Sequence, residues 1–217
     1  MSGKVLLIAC GALAHEVTAL IRANRWSHMV VQCLPAKLHN TPQLIPEAVR
    51  AKIRAERGHY ERIFVLYGDC GTGGLLDEVL AEEGAERIGG AHCYEFFAGS
   101  PDFERLAHEE PCSFYLTDFL ARHFERLVIQ GLGIDRHPEL MPPYFGNYKR
   151  LVYLAQSTDP ARLARARAAA ERLGLAFEYR FTGYGDLERT LVGIARAERT
   201  GPVAHTSQRV AASAPAD

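Results

Sequence analysis

Three cysteines of this chain stand where an apolar run gives way to a turn. Cys10 closes Lys4-Val-Leu-Leu-Ile-Ala-Cys-Gly, Cys70 closes Arg62-Ile-Phe-Val-Leu-Tyr-Gly-Asp-Cys-Gly, and Cys93 closes Arg87-Ile-Gly-Gly-Ala-His-Cys. In an open α/β sheet, ligands bind in the crevice outside the carboxyl ends of the strands. Three thiols delivered to such an edge could converge on one metal ion or cluster, since thiolate is a soft ligand suited to zinc, copper(I) or iron–sulfur. The competing reading is packing, because a free cysteine also behaves as a small buried hydrophobe. The spacings match no C-x-x-C zinc or ferredoxin pattern, so any site must be assembled by the fold. Of the other two cysteines, Cys33 lies inside Val30-Val-Gln-Cys-Leu and is expected to pack, while Cys112 in Glu109-Glu-Pro-Cys-Ser is a weaker candidate for a fourth ligand.

Groups able to move protons surround these cysteines. His15 and Glu16 follow Cys10, Asp69 precedes Cys70, and His92 precedes Cys93. His92 is the first choice, because an unperturbed imidazole titrates near pH ~6.5 and it adjoins a proposed ligand. Gly11 and Gly71 each follow a cysteine, where glycine allows close backbone approach to a bulky ligand. His39 and Asn40, in Leu38-His-Asn-Thr-Pro, fall in a loop after an expected strand and could orient a substrate, although asparagine is also ordinary turn chemistry. Gly71-Thr-Gly73-Gly before an apolar helical pattern resembles a phosphate cradle, but it lacks the Walker lysine and the G-x-G-x-x-G spacing. No G-x-S-x-G is present.

Strands are expected at Val5–Ala9, Met29–Leu34, Ile63–Tyr67, weakly near Ile88, at Leu151–Ala155 and at Ala176–Phe181. Helices are expected between them. Pro46 at a first turn, Thr117-Asp118 and Asp159-Pro160 are start signals, and Gly84 and Gly174 are stops. Strands alternating with helices of roughly 10–15 residues imply βαβ units, hence a mostly parallel Rossmann-like sheet flanked by helices, with the site at the carboxyl edge. Residues 1–200 are expected to form one α/β domain. The proline- and glycine-rich segment 131–148 marks a two-lobed division, and the small, polar segment 201–217 is expected to be disordered.

The 217 residues are 47% hydrophobic and 24% charged, with a formal net charge of −1. That balance supplies no basic face for nucleic acid or an anionic membrane, and no apolar run reaches the ~18 residues of a span. The stretch before Cys10 is too short for a secretory signal. A cytoplasmic protein with reduced cysteines is expected, since five cysteines without dense spacing make no disulfide framework.

Three blocks, Ala9-Cys-Gly-Ala-Leu13, Leu34-Pro-Ala-Lys-Leu-His-Asn-Thr-Pro42 and Tyr67-Gly-Asp-Cys-Gly-Thr-Gly-Gly-Leu75, resemble the bacterial and archaeal domain of unknown function family 1638. His92-Cys93, Phe97-Ala-Gly-Ser100 and Tyr115-Leu-Thr117 fit its pattern too, while Asp69 and Ala98 depart from it. The resemblance implies a three-cysteine metal or cluster site on Cys10, Cys70 and Cys93. It also implies an association with corrinoid-dependent methyl metabolism, with a corrinoid protein or methyltransferase as partner. The expected function is a 4Fe–4S protein with one iron open to a small-molecule substrate, acting as a lyase or in sulfur or one-carbon chemistry. A zinc ion on the same thiolates, activating a thiol for methyl transfer, is the alternative cofactor. A non-catalytic accessory protein of a methyltransferase system is the alternative role.

Overall fold

The computed structural model describes residues 4–200; the expected disorder of 201–217 lies outside the described residues. Val5–Cys10 form strand β1, and every residue of it is buried. A strand covered on both faces needs such an unbroken apolar run, and that is the usual state of a strand inside a parallel sheet. Helix α1 (Ala14–Asn24) leads to β2 (Met29–Leu34), α2 (Ile45–Glu56) to β3 (Arg62–Leu66), and α3 (Leu75–Glu83) to the two-residue β4 (Glu86–Arg87). Pro46 sits in the first turn of α2, and Gly84 ends α3 in the left-handed conformation, as the start and stop signals require.

These four strands form one sheet in the order β2-β1-β3-β4, every pairing parallel. The connections leaving β1 and β2 therefore diverge to opposite sides of the sheet. The gap outside the carboxyl ends of β1 and β3 is the switch point at which such sheets bind ligands. Register sets what reaches it: Cys10 pairs with Leu34 of β2, and Ala9 pairs with Leu66 of β3. The segments after residues 10, 34 and 66 thus leave the sheet at one level.

The chain then forms α4 (Glu95–Ala98) and α5 (Ser100–Glu109), and starts a second sheet. Its strands β5 (Ser113–Thr117), β6 (Arg150–Ala155) and β7 (Ala176–Phe181) pair in sequence order, again all parallel. Between β5 and β6 lie α6 (Asp118–Phe124) and, within the expected irregular segment, α7 (Met141–Phe145). Helix α8 (Pro160–Leu173) joins β6 to β7, capped by the Asp159 carboxylate, which accepts from the Ala161 amide. Helix α9 (Gly185–Thr200) returns to the first sheet and buries Leu187, Leu191, Ile194 and Ala195 in its core. There the backbones meet so closely that a Cβ on Gly185 would lie 2.2 Å from the Phe97 carbonyl oxygen.

The α/β class and the parallel pairing agree with expectation. The strands, however, are shared between two sheets with separate cores. Strand β5 was not expected: Ser113 and Thr117 bound it with polar residues and leave only Phe-Tyr-Leu as an apolar run. Two further expectations need correction. Cys33, expected to pack, is exposed, because β2 is an edge strand. Cys93 does not close a strand; it lies beyond β4, in the turn before α4. No described helix is long and apolar enough to cross a membrane.

Candidate metal centre

Cys10 ends β1 with its side chain wholly buried, and its sulfur accepts from the Ala12 amide as the following 3-10 turn begins. Beyond β3 the chain passes Tyr67, also wholly buried, and reaches Cys70. Cys70 holds a left-handed φ of 52°, uncommon for a residue with a Cβ and costing on the order of 1–3 kcal/mol. Two backbone bonds extend the β3 ladder past its end: the Asp69 amide donates to the Gly90 carbonyl (3.0 Å) and the Cys70 amide to the Ala91 carbonyl (2.7 Å). These ties deliver Cys93 to Cys70, with the two sulfurs 3.3 Å apart. Gly68 permits the approach, since a Cβ there would lie 2.9 Å from both the nitrogen and the carbonyl carbon of His92.

His39 enters from the loop after β2. Its Nδ1 lies 3.7 Å from the Cys10 sulfur, and a ligating atom from each of Cys10, His39 and Cys93 falls within 4.8 Å of the others. These three residues could hold a metal ion, with the Cys70 sulfur against Cys93 as an adjoining donor. Loop packing keeps the entry close: a Cβ on Gly11 would meet the Leu34 carbonyl at 3.1 Å, and Pro42 stands over Gly71.

Charge within the cluster is already distributed. A hydrogen bond from Cys93 lowers the pKa of Cys70 to about 4 and that of Cys10 to about 5, against the opposing effect of burial and with help from His39. Cys93, donating to both and buried, is held well above its ordinary value. Burial alone would lower His39, but its contacts with Cys10 and Cys70 raise it to about 10. The Tyr67 hydroxyl is buried beside the Cys10 sulfur. Burial, then the negative charge of Cys10, pushes its pKa up, so it stays an O–H donor.

The remaining candidates are placed as follows. Asp69 turns into its own loop, where its carboxylate accepts from the amides of Gly71 (3.2 Å), Gly73 (3.2 Å) and Gly74 (2.9 Å) and from the Thr72 hydroxyl (2.7 Å). Those bonds, the Gly74 amide foremost, bring its pKa to about 2. The cradle that resembles a phosphate site is therefore filled by a carboxylate of the protein itself. His92 stacks on Tyr94, with centroids 4.8 Å apart. His15 is exposed, and Glu16 turns away from the sulfurs into a buried position whose charged neighbours are His15, Asp118 and Arg162. Asn40 reaches across to the second sheet's half, where a Cβ on Gly131 would lie 3.3 Å from its Nδ2. Cys112 precedes the amino end of β5, the end opposite Thr117.

Sequence reasoning did not anticipate Tyr67, the ligand-range position of His39, or a cavity of about 280 Å³ that opens between the two sheets beside Cys93 and His39. Tyr67 could have been found as a polar residue ending an otherwise apolar strand. The cavity leaves no local signal.

A family model described as "Protein of unknown function (DUF1638)" matches residues 33–191. No curated protein and no solved structure matches the chain.

Proposed function

The chain belongs to the DUF1638 family, and from that premise we propose that it is a thiolate metalloprotein. Cys10, Cys70, Cys93 and His39 would hold one soft metal ion, zinc in the first instance, at the mouth of the cavity between the sheets, and the protein would act on a small molecule admitted there.

The convergence of Cys10, His39 and Cys93 within 4.8 Å of one another, with the Cys70 sulfur 3.3 Å from that of Cys93, carries this reading. Two thiolates about 2.3 Å from one tetrahedral ion stand about 3.8 Å apart, and a thiolate and an imidazole nitrogen about 3.6 Å apart. The separations here are 3.3 Å for Cys70–Cys93 and 3.7 Å for Cys10–His39. A 4Fe–4S cluster would take each thiolate on a different iron and hold the sulfurs farther apart, so the compact cluster favours the single ion. The buried Tyr67 hydroxyl beside the Cys10 sulfur is a donor within the cluster.

Such an ion supplies Lewis-acid activation of a donor atom brought beside it. The chain's own residues do the rest. On binding, Cys93 and His39 would each release a proton, and the three thiolates would more than offset the ion's charge. Of the two ligands that line the cavity, His39 and Cys93, the neutral imidazole of His39 is the one an incoming donor would displace. Tyr67 directs its O–H at the occupant. His92, packed on the cavity-lining Tyr94 ring, is the proposed proton-transfer group. The link to corrinoid-dependent methyl metabolism is supported by the family resemblance alone.

The test is metal and acid-labile sulfide analysis after anaerobic purification. About one equivalent of zinc on a colourless protein, lost in Cys10→Ser, Cys70→Ser and Cys93→Ser, is expected. A brown protein with iron and sulfide would replace the single ion by the cluster, and a wild-type protein that retains no metal would overturn the proposal.

A further inference from the structure

The cavity beside the cluster has a chemistry of its own. Its apolar wall comes mainly from the second sheet's half, with Phe114, Phe119, Leu127, Leu132 and Phe145 among its lining residues. Tyr94 and Tyr115, both lining it, stack at 5.4 Å and 20°. Among the described residues no Asp, Glu, Lys or Arg lines it; the polar lining there consists of Cys93, His39 and Asn40 at one end, with Thr117 and the two tyrosines. Its volume of about 280 Å³ equals roughly nine waters at ~30 Å³ each, the room of a single-ring molecule.

We infer that this cavity binds a neutral, mostly apolar small molecule, an aryl or branched-alkyl body with one polar or sulfur-bearing end. A charged body would surrender its hydration against walls that carry no charged side chain. A long polar one would strand its groups against phenylalanine and leucine. The body packs between the aromatic walls, and the single polar end points to Asn40 and the cluster, the one region with matching groups. That the polar end meets a metal rests on the proposed function; the class of the body rests on the cavity alone.

Benzyl alcohol, benzoate and benzylammonium share a ring and differ in charge, so they are the probes. Calorimetric titration of the full chain, metal-loaded and as metal-free Cys70→Ser, is expected to show benzyl alcohol binding to both, with each charged analogue at least about tenfold weaker. Two cavity-filling variants, Ala36→Phe and Leu132→Phe, should each weaken benzyl alcohol binding at least tenfold while metal content is unchanged. Two variants from opposite sides guard against misfolding of one. Equal or tighter binding of benzoate or benzylammonium, no binding of benzyl alcohol, or filled variants that bind as wild type would overturn the inference. Binding by a wild-type protein that holds no metal would uphold the cavity's class while the metal proposal falls.

Discussion

Gly68→Ala isolates the contact that assembles the site. The residue is buried, its φ is not left-handed, and the substitution adds one methyl group. That methyl would lie 2.9 Å from the nitrogen and carbonyl carbon of His92, where ordinary contact begins at 3.4 Å. The 90–93 turn must therefore retreat by about 0.5 Å. The obstacle is backbone, so no side chain can rotate aside, and overpacking of this kind costs about 1–3 kcal/mol. The retreat pulls on the bonds from Asp69 to Gly90 and from Cys70 to Ala91, which hold Cys93 against Cys70. Loss of such outer support typically weakens metal binding about 10–100-fold. Gly89→Ala is the control, since a Cβ there meets nothing within 4 Å. Urea midpoints and zinc affinity against a competing chelator are the assays. The variant should lose both stability and affinity, and the control neither. If Gly68→Ala and Gly89→Ala bind zinc equally well, the account of how Cys93 reaches the cluster is wrong.

Three other substitutions probe the surrounding structure. Asp118 is 1% exposed and accepts from Tyr153 (2.6 Å), Ser157 (2.7 Å), the Gln156 amide (3.1 Å) and Arg162 (2.5 Å). Asp118→Ala strands these donors and should cost about 3–5 kcal/mol, read from the urea midpoint; a shift below about 1 kcal/mol would contradict the network's importance. Glu16 has its pKa raised by burial, and its Oε2 has no partner. A raised carboxyl contributes stability below its unfolded pKa and loses it as pH climbs through the folded one. Glu16→Gln should therefore flatten the decline in melting temperature above pH ~4.5, and an unchanged pH profile would refute the assignment. Asp69 has the opposite sign: with a pKa of about 2, its contribution is full above the ordinary value near 4 and fades as pH falls toward 2. Asp69→Ala should cost about 1 kcal/mol, by analogy with loss of a helix cap, and raise amide exchange at Gly71, Gly73 and Gly74. Unaltered exchange there would show that the carboxylate does not hold the loop.

Much of the fold could be read from local pattern. Val5-Leu-Leu-Ile-Ala is apolar at every position, which only a strand covered on both faces tolerates. Pro46, Asp159, Gly84 and Gly174 act on the dihedrals and amides of their immediate neighbours, so the helix ends they mark hold in any tertiary setting. The placement of Cys10 and Cys70 at neighbouring strand ends followed from the same runs, because alternation of strand and helix makes the sheet parallel and sends every strand's carboxyl end to one edge. What could not be read this way depends on contacts between distant segments. Cys93 follows no regular element, and it meets Cys70 because two backbone bonds tie residues 69 and 70 to residues 90 and 91. His39 becomes a donor beside Cys10 only through the register that levels β1 with β2. Asp69 fills the glycine loop because its side chain turns into it, a choice the loop's spacing does not encode. The division into two sheets, and the cavity between them, arise from which strands find hydrogen-bonding partners. Residues separated by the whole of the intervening chain decide that outcome, and it leaves no trace in any short window of sequence.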